Sequence, residues 1–176
     1  MATKSVTSQF ERRRGGLTAL RGTLVCALVV ILFDVVLCGC YLFSALVCPI
    51  WCIVEAVRAA LKPPGLDVAA ARVLIPILTG LLAFANDSAQ RTIAMGNAQR
   101  VIEACERYHK ANGAYPERLG ELVPRYLNSV PRAKYCCSWG EFWYFGAPRP
   151  LLLWYEVPPF GRRIYNFERG AWSWLD

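Results

Sequence analysis

Charge is scarce in this 176-residue chain: 19% of its residues are charged and 55% are apolar, against about 25% and 45–50% in an average soluble domain. Disorder, a collagen-like fibre and a small disulfide-stapled secreted module are excluded by that balance. Histidine occurs once, at His109, and the chain has no glycine-rich phosphate loop, zinc-protease helix motif or nucleophile elbow. No enzyme class carrying such a signature is expected. What charge there is lies unevenly. Of the net +7, residues 1–21 supply +4, from Lys4, Arg12, Arg13, Arg14 and Arg21 against Glu11. Residues 22–57 carry only Asp34 and Glu55, residues 58–72 are +2, and the rest of the chain is +3. The basic excess brackets an apolar stretch, as in a membrane protein whose positive segments stay cytoplasmic.

Gly22 to Val57 is a run of 36 residues with two charges. About 20 residues cross a bilayer core as a helix. The run therefore fits either two spans, Thr23–Leu37 and Tyr41–Val57, turning near Cys38-Gly39-Cys40, or one long tilted helix kinked at Pro49. Arg58, Lys62 and Pro63-Pro64-Gly65 end it. A second apolar run, Leu66–Ala85, reads as a further span, with Asp67 and Arg72 at the headgroup level. The expected organisation is a basic cytoplasmic N-terminus (1–21), a retained hydrophobic anchor of one or two spans (22–65), a span continuing into a long helix (66–112), and a globular part (113–176). Asp34 is either a working ionisable group in the bilayer or, beside a turn, a solvated one. Cys26, Cys38, Cys40, Cys48 and Cys52 repeat no metal-ligand spacing and read as apolar packing or palmitoylation sites.

Beyond Ala85 the helix should continue while its chemistry changes. Ala94, Ala98, Val101, Cys105 and Tyr108 form one apolar stripe. Charged residues, among them Arg100, Glu103 and Arg107, cover much of the other face, with Glu103–Arg107 and Glu106–Lys110 as supporting pairs. Asn112-Gly113 supplies a left-handed cap. Tyr115-Pro116 starts a short helix through Val123. Strands follow at Glu141–Phe145, Leu151–Val157, Arg162–Glu168 and Ala171–Leu175, separated by Pro- and Gly-bearing turns.

A membrane helix running into an amphipathic one, then Tyr108-x-x-x-Asn112-Gly113-x-Tyr115-Pro116 and Leu119-x-x-Leu122-Val123-Pro124, resembles the type IV pilin superfamily. It is most similar to the major pseudopilins of type II secretion, over about residues 68–176, with its specific part at 101–131. The resemblance implies an α+β fold in which the long helix packs its stripe on a small antiparallel sheet. The expected location is a bacterial inner membrane: three spans put the C-terminal domain on the periplasmic side, as charge bias favours, and two spans, as length favours, put it in the cytoplasm. The expected role is non-enzymatic: a structural or assembly component of a secretion-type or other membrane complex, with membrane lipids and proteins as partners and no cofactor. An accessory subunit of an unrelated complex, using the fold for docking, is the alternative. Prepilins carry Glu five residues into the mature chain. Here the residue at that distance from Gly65 is Ala70, so neither processing at Gly65-Leu66 nor polymerisation is expected. Calcium is not expected either: residues 139–175 offer only the carboxylates Glu141, Glu156 and Glu168, each in an expected strand.

Two further constellations concern the globular part. Cys105, His109, Cys136 and Cys137 are four zinc-type ligands. A disulfide from Cys105 to Cys136 or Cys137 and free thiols are the competing readings, and a thiol or zinc enzyme ranks last. The final 38 residues hold 12 of the 22 aromatics. Trp143, Phe145, Trp154, Trp172 and Trp174 are therefore expected to form an interaction surface as well as fill a core. Nucleic acid is not an expected partner of a half with so little net charge.

Overall fold

The computed structural model describes residues 20–61 and 65–175. The basic N-terminal cluster up to Arg14, Lys62 and the Pro63-Pro64 breaker lie outside the described residues. Two compact units are present, one holding residues through Asp34 together with Tyr41–Ala83, the other Val35–Cys40 together with Phe84 onward.

The first unit draws on three helices: α1 (Leu20–Cys38), α2 (Leu42–Leu61) and α3 (Leu66–Asn112), each long and apolar enough to cross a membrane. The first apolar run is thus two helices and not one helix kinked at Pro49, which α2 accommodates internally. Gly39, with φ +61, makes the break. A residue with a side chain resists that left-handed conformation. The last residues of α1, Leu32–Cys38, widen into a π-helix. Asp34 lies in this segment, fully buried, and is neither solvated nor without a partner. Its carboxylate accepts the backbone N–H groups of Phe43 (3.1 Å) and Ser44 (2.6 Å), capping α2 from another helix. Gly80 of α3 faces Cys48 of α2, where a Cβ would stand 3.7 Å from the thiol. Small residues allow such close helix contact where burial of oil in oil gives no driving force.

At about 1.5 Å per residue, the 47 residues of α3 extend roughly 70 Å, more than twice a hydrocarbon core of about 30 Å. Its later part belongs to the second unit. There Ala94, Ala98, Val101 and Cys105 are fully buried and Tyr108 is half-buried, as the stripe requires, while Arg100 and Arg107 are exposed. The anticipated ion pairs are replaced by local bonds. Arg107 donates to the carbonyls of Glu103 and Tyr126, and Glu106 accepts from the Tyr115 hydroxyl. Gly113 (φ +76) ends the helix, its N–H donating to the His109 carbonyl at 2.8 Å.

The helix expected at 115–123 is only a 3-10 turn, Leu119–Leu122. Three-residue spacing eclipses side chains in that geometry, and both leucines enter the core. Four strands form an antiparallel meander in the order β1 (Trp143–Phe145), β2 (Leu151–Val157), β3 (Gly161–Asn166), β4 (Ala171–Leu175). Two strands are shorter than expected. Asn166 ends β3 because its side-chain oxygen accepts the Arg169 N–H, an Asx-type turn, and Phe167 then folds into the core. Glu141 precedes β1 and Glu168 sits in the β3–β4 turn, so of the three late carboxylates only Glu156 is in a strand.

Helix stripe and sheet meet in a core of Ala98, Val101, Ile102, Cys105, Leu122, Leu152 and Phe167. Val101→Asp puts an unpaired charge there and should destabilise this unit by at least about 3 kcal/mol. Arg100→Asp, one residue away on the exposed face, should stay within about 0.5 kcal/mol of wild type. Denaturant titration of the full chain in micelles, followed by tryptophan fluorescence, measures both. Equal tolerance would mean that the helix presents another face to the sheet.

Candidate functional site

The thiol and imidazole candidates are dispersed. Cys105 is sealed in the core, where burial first and the neighbouring Glu106 second push its thiol up to about 12. It is therefore protonated and inert at neutral pH. His109 stacks on Tyr115, ring centroids 4.2 Å apart and nearly parallel. Cys136 is buried against Gly39, and Cys137 is exposed. Cys105, Cys136 and Cys137 are in no disulfide, so the Cys105 bridge does not form here. Among the described residues no group of three or more His, Cys, Asp or Glu side chains could hold a metal.

The aromatic set divides by strand parity. Trp143 pairs with Leu153 and Tyr144 with Leu152, and Leu152 is in the core. Trp143 and Phe145 therefore point to the outer face, each about half exposed (53%). Trp154 pairs with Arg163, and Arg163 with Trp174, which puts all three on the helix-facing side. Trp154 is completely buried and belongs to the core, contrary to the surface role expected of it. Trp172 packs against the same core. Trp174 is exposed at the margin, with the Arg163 guanidinium 5.7 Å from its ring centre.

A polar cluster forms a site that no sequence motif announces. Lys134 is fully buried. Its ammonium donates to the carbonyls of Gly39 (2.9 Å) and Glu156 (2.7 Å) and lies 5.6 Å from the centre of the Trp154 ring. Glu156, also buried, takes Arg91 on one carboxylate oxygen and Arg163 on the other, and Arg91 reaches Asp87 at 2.7 Å. The same loop binds the segment before Gly39: Cys137 N–H donates to Val36 O (2.9 Å) and Ser138 N–H to Leu37 O (3.2 Å). Gly140 closes the loop on itself, since a Cβ there would stand 2.5 Å from the Lys134 carbonyl. Beside the cluster opens a cleft of about 370 Å³ lined by Arg91, Thr92, Met95, Trp154, Glu156 and Arg163.

A second pocket, about 460 Å³, belongs to the helical unit and is lined by residues of α1, α2 and α3. Glu55 is its buried carboxylate, 3.0 Å from Arg58 and 4.0 Å from Arg72. Neither protein-family models nor curated proteins nor solved structures match this chain.

Desolvation lowers the affinity of Lys134 for its proton, partly offset by Asp87. The unfolded chain keeps that proton up to about 10.5, so the unfolded state binds more protons just below that pH, and the stability contributed by Lys134 rises as pH increases through the window. A neutral amine still has the two N–H donors that its two carbonyls need. Lys134→Met should cost about 1–3 kcal/mol by orphaning those carbonyls. The gap between wild type and variant should widen from neutral pH toward 10. Denaturation curves at several pH values test this, and a gap that narrows would contradict it.

Proposed function

We propose that this protein is a non-enzymatic membrane component that displays a pseudopilin-like α+β domain for assembly of a membrane complex, in a bacterial inner membrane with the domain on the periplasmic side. The observation that carries the reading is the outer face of the sheet. Trp143 and Phe145 stand half exposed on one side of an edge strand, backed by Leu151, Leu153 and Ile164 on the same face. Large aromatics at an exposed apolar patch are the commonest anchors of protein interfaces. Three apolar helices fix the chain in the bilayer, and α3 runs from them into the domain core. The sealed Cys105 and stacked His109 support a non-catalytic role.

A secretion-type complex is the first setting, from the Asn112-Gly113-x-Tyr115-Pro116 resemblance. Docking as an accessory subunit in an unrelated complex is the second. It is favoured by the two apolar helices that precede α3, a feature foreign to subunits that polymerise through that helix alone.

Reporter fusions after residues 64 and 176 test the topology, with an export-dependent phosphatase expected to be active only at the second. Activity at the first alone would refute the periplasmic assignment. The double variant Trp143→Ala, Phe145→Ala should weaken co-purification of the assembly about tenfold or more while leaving the melting temperature of the chain nearly unchanged. Undiminished association would remove the outer face from the mechanism.

A further inference from the structure

The cleft beside the polar cluster has Arg91, Thr92 and Met95 of α3 on one side and Trp154, Glu156 and Arg163 of β2 and β3 on the other. Its two guanidinium groups are fixed by what they already hold. Arg91 commits Nε to Asp87 and Nη1 to Glu156 Oε1, and Arg163 commits Nε to Glu156 Oε2. Both oxygens of the carboxylate in the wall are thereby occupied. Arg91 Nη2 and both terminal nitrogens of Arg163 keep N–H groups with no acceptor among the described residues. The Trp154 indole N–H, buried, has none either, although an enclosed tryptophan usually finds one. Thr92 has its hydroxyl proton on the Ser88 carbonyl. The wall thus offers a ligand N–H donors, set around Met95 and an indole ring. A group that accepts several such bonds at once is an anion.

Charge points the same way. Across the network, Arg91, Lys134 and Arg163 stand against Asp87 and Glu156, which leaves one positive charge to be balanced. The level of the cleft on α3 narrows the kind of anion. The apolar run of α3 closes at Ala85, and the first polar residues after it are Asn86, Asp87 and Ser88. Arg91 follows six residues after Ala85, roughly 9 Å along the helix. The polar layer on each side of a bilayer is roughly 5–8 Å thick, and an arginine side chain can lean back toward it. A second marker agrees: the Lys134 ammonium that holds the Glu156 carbonyl also holds that of Gly39, at the reversal that follows α1. The anion met at that level is the phosphodiester of a lipid headgroup.

We infer that this cleft binds a singly charged phosphodiester, its two non-bridging oxygens accepting from Arg91 and Arg163 and its remaining headgroup atoms lying against Met95. Planar guanidinium groups suit such oxygens better than a point charge does. A lipid of net charge −1, such as phosphatidylglycerol, meets the donors and the excess charge together. Phosphatidylcholine has the same diester, but its quaternary ammonium leaves the excess in place. The volume, about 370 Å³, is within the range of small-molecule sites and admits a headgroup, leaving the acyl chains to the bilayer. The inference rests on the membrane reading of α3 and is independent of partner docking by the outer face of the sheet.

The test uses the full chain in phosphatidylcholine nanodiscs, read by melting temperature and by native mass spectrometry of retained lipid. The two sources of the diester are offered separately: phosphatidylglycerol in the disc, and soluble glycerophosphoglycerol. Phosphatidylglycerol should be retained at one per chain and raise the melting temperature. A shift from the soluble diester without any gain from phosphatidylglycerol would keep the ligand chemistry and move its source to solution. Thr92→Trp, at an exposed position of the wall, fills the cleft and leaves every charge in place, so it should abolish binding. Arg163→Gln should weaken binding about tenfold. Arg100→Gln removes one positive charge of the same unit outside the cleft and should leave binding unchanged. Circular dichroism shows whether each variant keeps its helices, and Thr92→Trp decides the matter if Arg163→Gln does not fold. No shift from either diester, binding undiminished in Thr92→Trp, an equal loss in Arg100→Gln, or the same shift with acetate would overturn the inference. Release of the chain from membranes by alkaline carbonate would instead defeat the membrane reading itself.

Discussion

Backbone groups at a helix end have no partners of their own, and near hydrocarbon they find no water to replace them. The reversal between α1 and α2 must meet that constraint twice, and it uses a different device each time. The N–H groups opening α2 are taken by Asp34, a carboxylate on the preceding helix. The carbonyls closing α1 are taken by the loop 134–138: Val36 by Cys137, Leu37 by Ser138, and Gly39 by the Lys134 ammonium. An anion thus stands at a helix N-terminus and a cation at a helix C-terminus, the signs favoured by the helix dipole at each end. Both charges are fully buried, where such interactions are strengthened by low polarisability around them.

Burying Lys134 has consequences for its surroundings. A lone ammonium in a protein interior is expensive, and here the surroundings supply acceptors, an aromatic face and nearby carboxylates. Glu156 contributes its carbonyl to Lys134 while its side chain holds Arg91 and Arg163. One residue of β2 thereby ties the helix α3, strand β3 and loop 134–138 into one network within the second unit. Such networks add little net stability over an apolar core, but removing one partner leaves the others buried and unpaired. Their value lies in fixing which residues meet.

Periodicity makes much of this fold legible in the sequence. The stripe Ala94 to Cys105 is core, the helix ends at Asn112-Gly113, and β2 and β4 begin and end where alternation and turn residues put them. These are local properties, set by spacing of 3.6 or 2 and by a glycine able to take positive φ. The parity of the aromatic strands was harder, because a run such as Leu151-Leu152-Leu153-Trp154 is apolar on both faces. Only the register, with Tyr144 opposite Leu152, shows that Trp154 is inside and Trp143 outside. The long-range contacts were not legible at all. Nothing near Lys134 in sequence announces Gly39, 95 residues away, and a carboxylate inside an apolar run looks the same whether it caps another helix or faces a pore.

The two faces of β2 also separate stability from function in the globular part. Its inward residues Leu152, Trp154 and Glu156 are fully committed, the first two to the core and the third to three basic side chains. Of its outward residues Leu153 is buried and Leu151 partly so, and the strand beside them exposes Trp143 and Phe145. A sheet meant to face water would alternate with polar residues at those positions. An edge strand that kept itself from sticking would carry a charge or a proline there. This one has neither within its three residues, Trp143-Tyr144-Phe145. The outer face therefore has the composition of an apolar surface and not of a solvated one, and the polar network on the inner face is what fixes its register.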